Sequence, residues 1–85
     1  MKLCFAERFH RDYQHLPRPI QDAVDRQLEQ LLSNPRHPSL HFKRMQGTAK
    51  YWEVRVTRKY RIVLEVLEDT YLLYRVGTHD ILDRL

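Results

Sequence analysis

Between Tyr51 and Asp80 the chain reads YWEVRVTRKYRIVLEVLEDTYLLYRVGTHD, three runs in which apolar and polar residues alternate. Period-two alternation marks strands that bury one face only. The apolar parity predicts that the first strand buries Trp52, Val54 and Val56, the second Ile62, Leu64 and Val66, and the third Leu72, Tyr74 and Val76. The opposite parity holds Glu53 and Arg55, Arg61 and Glu65, and Leu73 and Arg75. One arginine per strand is thereby set on the same side of one small sheet. Arg58-Lys59 and Glu68-Asp69 supply the tight connections. Neither is the Asn-Gly of a two-residue hairpin, so the turn types stay open.

Upstream the period lengthens. Lys2 to Phe5 is short and half apolar, a first strand, and it runs directly into a helix. Phe5, Phe9, Tyr13 and Leu16 fall on one helical face. Pro17 and Pro19 break that helix, and proline is tolerated in a first turn but not inside, so a second helix begins there. Its stripe is Ile20, Val24, Leu28, Leu31 and Leu32 with Ala23 beside it, Asp22 and Asp25 lie near its positive end, and Asn34-Pro35 stops it. Within NPRHPSLHFKRMQG, Leu40, Phe42 and Arg44 alternate with His41, Lys43 and Met45 as a short strand, and Gly47 opens a polar turn. The tail THDILDRL suits one helical turn, with Ile81, Leu82 or Leu85 available to pack. The fold class is α+β: an antiparallel sheet of about four strands with an N-terminal helical hairpin covering one face. The other face, bearing the arginines, is left for solvent or function.

A chain of 85 residues is expected to form a single domain over 1–85. No apolar run approaches the roughly 18 residues that span a bilayer, and MKLCFAERFHRDY meets charge too early for a signal-peptide core. The single cysteine, Cys4, excludes an internal disulfide and fits a reducing cytoplasm, with Cys4 read as a small buried residue of the first strand. The net charge is +4, with eleven arginines against four lysines. Arginine favours planar, bidentate contact with phosphate or carboxylate, so the partner classes are nucleic acid or an acidic protein segment. A basic domain with no such partner fits the composition equally.

Two readings of Arg55, Arg61 and Arg75 stand side by side. Glu53 and Glu65 could make the face a salt-bridged, solvated surface. Alternatively, three cations within reach of one point form an anion site, most simply for a phosphodiester. His79, just past the last strand, is either a structural cap or a general acid or base. Metal-free RNA cleavage needs activation of the 2′-hydroxyl, charge relief at the pentavalent phosphate and a proton for the leaving oxygen. Glu53 or His41 could serve the first need, the arginines the second and His79 the third. Of the five histidines only His37 and His41 are close enough in sequence to pair, and none shows zinc spacing with cysteine. With two glycines there is no phosphate loop, and no G-x-S-x-G or Cys-His constellation argues for acyl transfer. Neither a metal nor a cofactor is expected.

The segments LPRPIQDAVDRQLEQLLSNPRHPSLHFKRMQG, YWEVRVTRKYRIVLEV and YLLYRVGTH together resemble the RelE/ParE superfamily of toxins from bacterial type II toxin–antitoxin modules. The most specific parts are Trp52, Arg55, Tyr60, Arg61 and Ile62 in a W-x-x-R-x-x-x-x-Y-R-I run, and the ending Gly77 to His79, which is similar to the YafQ-type branch. The resemblance implies a small twisted sheet under a helical hairpin, and a ribosome-dependent mRNA endonuclease held inactive by a cognate antitoxin. It makes Arg61 the phosphate-stabilising arginine, His79 the YafQ-like histidine and Arg55 a second phosphate contact, with Glu53 beside them. His41, Lys43, Arg44 and Lys50 lie where contacts to mRNA and ribosomal RNA are expected, and Arg58, Lys59 and Arg75 complete that basic set. Asp80, Ile81 and Leu82 follow His79 where many ribonucleases of the group carry an aromatic residue. The alternatives are therefore a ParE-like inhibitor of DNA gyrase, acting by protein binding, or a noncatalytic relative. Each version predicts an acidic, partly disordered antitoxin laid across the sheet or the helical hairpin.

Overall fold

The two early prolines do what their backbone chemistry dictates. Helix α1, Glu7–Gln14, ends before Pro17, and α2, Arg18–Ser33, carries Pro19 in its first turn, where the missing N–H has no intrahelical acceptor anyway. The computed structural model of the chain describes residues 1–82, and the side chains of residues 1–80. Strand β1 is Lys2–Phe5; after α2 and a short 3₁₀ helix at Pro38–Leu40 come β2 (Lys43–Arg44), β3 (Tyr51–Arg55), β4 (Tyr60–Val66), β5 (Thr70–Thr78) and α3 (His79–Leu82). The packing expected of Ile81, Leu82 or Leu85 lies outside the described side chains. No helix among the described residues is long and apolar enough to cross a membrane.

The sheet has five strands in the order β1-β5-β4-β3-β2, and it is mixed rather than antiparallel, because β1 runs parallel to β5. Four residues of alternation revealed that β1 exists but could not reveal its direction. The first strand is laid along the last, with Lys2 opposite Thr70 and Phe5 opposite Leu73. The Ala6 N–H continues this edge by donating to the Leu73 carbonyl. Cys4 is exposed rather than buried, since β1 is an edge strand and Leu3 is the residue it turns inward.

One face of the sheet and the two helices seal a core of Phe9, Val24, Leu31, Leu40, Val54, Ile62, Leu64, Leu73 and Val76. At roughly 1.5–3 kcal/mol per buried large side chain, this cluster dominates the stability of a chain this size. The expected parity holds in β3 and, up to Leu64, in β4, but fails in half of β5. Val63 faces Arg75 and the next residue, Leu64, faces Leu73, so Tyr74 is an extra residue without a partner. Beyond this bulge the alternation flips. Tyr71 and Leu73 are the buried pair, at 5% and 0% exposure, while Leu72 and Tyr74 lie on the outer face. Two further expected core residues are exposed: Val66 at the end of β4, and Leu32, one residue past Leu31 and so turned away from the stripe.

Candidate functional site

The turn from β3 to β4 builds the site's centre. Thr57 Oγ1 accepts the N–H groups of Lys59 and Tyr60, both at 3.3 Å, and the Val56 N–H donates to the Tyr60 carbonyl at 3.0 Å. A threonine hydroxyl therefore closes this turn in place of Asn-Gly chemistry. The turn's carbonyls converge on Arg61: Nη1 donates to the oxygens of Thr57 (2.6 Å), Tyr60 (3.0 Å) and Arg58 (3.1 Å). One guanidinium nitrogen is thus anchored in the protein. Nε and Nη2 have no protein acceptor among the described residues.

Arg55 stands directly opposite Arg61 across the β3–β4 ladder. Like charges in that position are destabilising, and neither arginine ion-pairs with a carboxylate among the described residues. Arg55 is flanked instead by His41, whose Nε2 lies 3.4 Å from Nη1, a contact in which the guanidinium donates. His41 closes the 3₁₀ helix in a left-handed conformation with φ 44°, unusual for any residue but glycine. Gln27 on α2 holds loop and strand together, its Nε2 donating to the carbonyls of Arg55 (2.7 Å) and Ser39 (3.1 Å). Nothing in the helical stripe singled out Gln27; only the fold shows that this amide sets the His41 loop against β3.

Glu53 lies on the same outer face two residues before Arg55, largely covered and 3.7 Å from Lys43 Nζ. Val63, fully buried, sits between Glu53 on β3 and Arg75 on β5. Arg75 differs from the other two arginines. Its Nε and Nη2 grip both oxygens of Asp12 on α1, at 2.7 and 3.2 Å, and the pair is 14% and 18% exposed. Asp12 Oδ2 also accepts the Val76 N–H, capping the edge of β5 beyond the point where β1 ends. The Arg75–Asp12 side-chain hydrogen bond raises the Arg75 pKa further above its ordinary value, against burial, which lowers it. The expected row of three arginines is therefore an open pair plus one residue bound into the structure. Asp12 gave no signal in the sequence, because its partner lies far along the chain.

His79 opens α3 and is exposed. Arg61 faces Gly77, so His79 follows only two residues beyond the position opposite that arginine. No hydrogen bond joins the two side chains among the described residues. The remaining basic residues divide by face. Lys43 and Lys50 border the outer face, Arg58 and Lys59 are exposed at the β3–β4 turn, and Arg44 lies over the Trp52 ring at 5.1 Å, on the parity of the core. No group of three or more His, Cys, Asp or Glu side chains among the described residues is placed to hold a metal ion.

This outer face can position an anion against the Arg55–Arg61 pair, with the His41 imidazole beside it. The comparisons with known proteins place the chain among toxins. A family model described as a ParE-like toxin domain matches residues 19–81. Toxin RelE3 of Methanocaldococcus jannaschii is 35% identical over 78 residues, covering 89% of this chain and 88% of that protein. Among solved structures, the RelB–RelE antitoxin–toxin complex from Methanococcus jannaschii matches with a TM-score of 0.78 at 28% identity, over 95% of each chain. YafQ from E. coli matches with a TM-score of 0.79 at 15% identity, over 95% of this chain and 96% of that one, a likeness of fold. With most of its length matched by the family model and by a relative of this identity, the chain belongs to the RelE/ParE superfamily of toxins.

Proposed function

We propose that this chain is the toxin of a type II toxin–antitoxin module and acts as a ribosome-dependent mRNA endonuclease in the cytoplasm. The observation that carries the reading is the Arg55–Arg61 pair, two opposed guanidiniums without a carboxylate counterion, one of them anchored by three turn carbonyls. An arrangement disfavoured by its own electrostatics is explained by an anion that binds between the cations. In this reading the phosphate of the cleaved bond takes the open N–H groups of Arg61 and Arg55. Their charge is complementary to the extra negative charge of the pentavalent state, and Arg61 needs no reorganisation to meet it.

The proton transfers fall to the imidazoles and Glu53. His41 or Glu53 takes the 2′-hydroxyl proton as that oxygen attacks phosphorus, and His79 donates a proton to the departing 5′-oxygen, leaving a cyclic phosphate. Lys43, Arg44, Lys50, Arg58 and Lys59 contact the mRNA and ribosomal RNA backbones. The cognate antitoxin is acidic; the match to a toxin solved together with its antitoxin supports such a partner. The residue that departs most from its expected role is Arg75, which acts through the frame by fixing β5 to α1.

Toeprinting of translated mRNA tests this. The wild-type chain is expected to produce cuts within the ribosomal A site. Arg61→Ala and His79→Ala are expected to reduce cutting by about 100- to 1,000-fold each, while circular dichroism and antitoxin binding stay unchanged. Intact transcripts together with altered plasmid supercoiling would replace this reading with the inhibition of DNA gyrase.

A further inference from the structure

The outer face carries a second feature that the cleavage chemistry leaves unused. Tyr51 on β3 and Tyr74, the bulge residue of β5, meet edge to face with ring centroids 5.4 Å apart and planes at 84°. Lys50 Nζ lies over both rings, 5.4 Å from the Tyr51 centroid and 5.7 Å from that of Tyr74. Ala6, Arg8, Tyr51, Tyr74 and Arg75 line a cleft of about 220 Å³ at this spot. The Tyr74 hydroxyl is already spent inside the protein, donating to Glu65 at 2.9 Å. What Tyr74 can offer a ligand is its ring, with Lys50 over it, and Arg8 lines the same cleft.

We propose that this cleft is a nucleobase-stacking subsite for the RNA strand whose phosphate is held at Arg55 and Arg61. The inference rests on the endonuclease reading and adds to it a second point of contact. Three observations select a base as the occupant. The cleft is smaller than the roughly 300–1,000 Å³ that holds drug-sized ligands, which fits a single ring system. Aromatic faces beside cations are how single strands are bound without sequence readout, because every base has a π-face and every linkage a phosphate. Tyr51 and Arg55 also share one face of one strand, four positions apart, which is about 13 Å at ~3.3 Å per residue. An extended single strand covers that span in about one or two nucleotides, so a base beyond the cut reaches the tyrosines while the scissile phosphate sits on the arginines. The bulge makes this possible. Without the extra residue, strict alternation would have turned Tyr74 into the core, as the parity of Val76 demands.

The test uses ribosomes programmed with an mRNA blocked at the cut by a 2′-O-methyl group, so that the toxin binds without cleaving. The double variant Y51L/Y74L is expected to bind about ten-fold more weakly than wild type. Tyr74→Phe, which keeps the ring, is expected to bind like wild type. Replacing the nucleotide one or two positions from the block by an abasic residue is expected to cost wild type the same factor and to cost Y51L/Y74L nothing more. Equal abasic losses in wild type and the double variant, or undiminished affinity in the double variant, overturn the subsite. Loss of antitoxin binding with unchanged ribosome affinity also overturns it and makes the cleft a protein-docking surface. Failure of the endonuclease reading is separate, since it shows as an absence of cuts by wild type on the unblocked mRNA.

Discussion

Two ends of one sheet face use the same side chain in opposite ways. At the α1 end, Arg75 is almost covered, gripped in bidentate fashion by Asp12, and the same carboxylate caps a strand edge. At the β3–β4 turn, Arg55 and Arg61 oppose each other, partly exposed, with no carboxylate partner among the described residues. Burial explains the first arrangement, because a guanidinium leaving water needs a counterion and satisfied donors. The second has no such explanation in the folded chain alone. Arginine on a sheet face is thus informative only together with its acceptor, and the acceptor decides between frame and site.

The contrast breaks most sharply at Asp12. Asp12→Ala leaves the Arg75 charge and the Val76 N–H unpartnered at a largely buried position, so a destabilisation of about 2–3 kcal/mol is expected in urea unfolding, somewhat below the range for fully buried pairs. Replacing both partners, as in D12L/R75L, is expected to recover most of that loss, because the cost arises from the orphaned charge more than from the missing attraction. Arg75→Lys should weaken folding by about 1 kcal/mol through loss of the bidentate geometry. If Arg75→Lys instead kept the urea midpoint and lowered RNA cleavage as far as Arg61→Ala, Arg75 would belong to the site and the distinction would fail.

At the other end the expected sign is reversed. Arg55→Gln removes one of two opposed cations and keeps a hydrogen-bonding side chain of similar reach. The urea midpoint is expected to rise by the equivalent of about 0.2–1 kcal/mol, while binding to programmed ribosomes weakens. The gain should shrink as salt is added, since an exposed repulsion is screened. A salt-independent loss of stability would mean that Arg55 is held by packing, and that the opposed pair is no electrostatic liability.

Much of this was legible beforehand, for identifiable reasons. Helix boundaries follow from local chemistry, and Pro17, Pro19 and Asn34 mark them without help from the rest of the chain. The inner parity of β3 and β4 is equally local. The bulge at Tyr74 is not: an extra residue changes which side every later position faces, but it leaves the composition of the run untouched. Tyr-Leu-Leu-Tyr offers apolar side chains at both parities, so nothing in it favours Leu73 over Leu72 as the core residue. The direction of β1 and the Asp12–Arg75 pair are contacts between distant parts of the chain, which no window of sequence contains. On the outer face, Arg61 could be picked out from its motif, but its anchoring depends on a turn closed by Thr57. Arg75 shares the parity of Arg61 but not its motif, and its acceptor, Asp12, is what assigns it to the frame.

The smallest expected effect concerns pH, and it separates the aromatic cleft from the charges around it. Tyr74 donates to Glu65, and that hydrogen bond, then burial, raises its pKa above the ordinary value of 10.0. Tyr13 is raised in the same way, first by its hydrogen bond to Asp25. Each phenol holds its proton more tightly folded than unfolded. The stability each contributes is therefore fully present below about pH 10 and is lost as pH rises through the folded value. Unfolding midpoints measured from neutral to strongly alkaline pH should fall in that window for wild type. Tyr74→Phe and Tyr13→Phe should each flatten the fall, because a ring without a hydroxyl has no proton to lose. Tyr74→Phe should do so without altering ribosome binding, since the hydroxyl is used inside the protein and the ring face is what remains for a base. If the two variants leave the alkaline profile unchanged, the phenol–carboxylate bonds do not persist in solution. Tyr74 would then swing free of Glu65, and its hydroxyl would become available to a ligand.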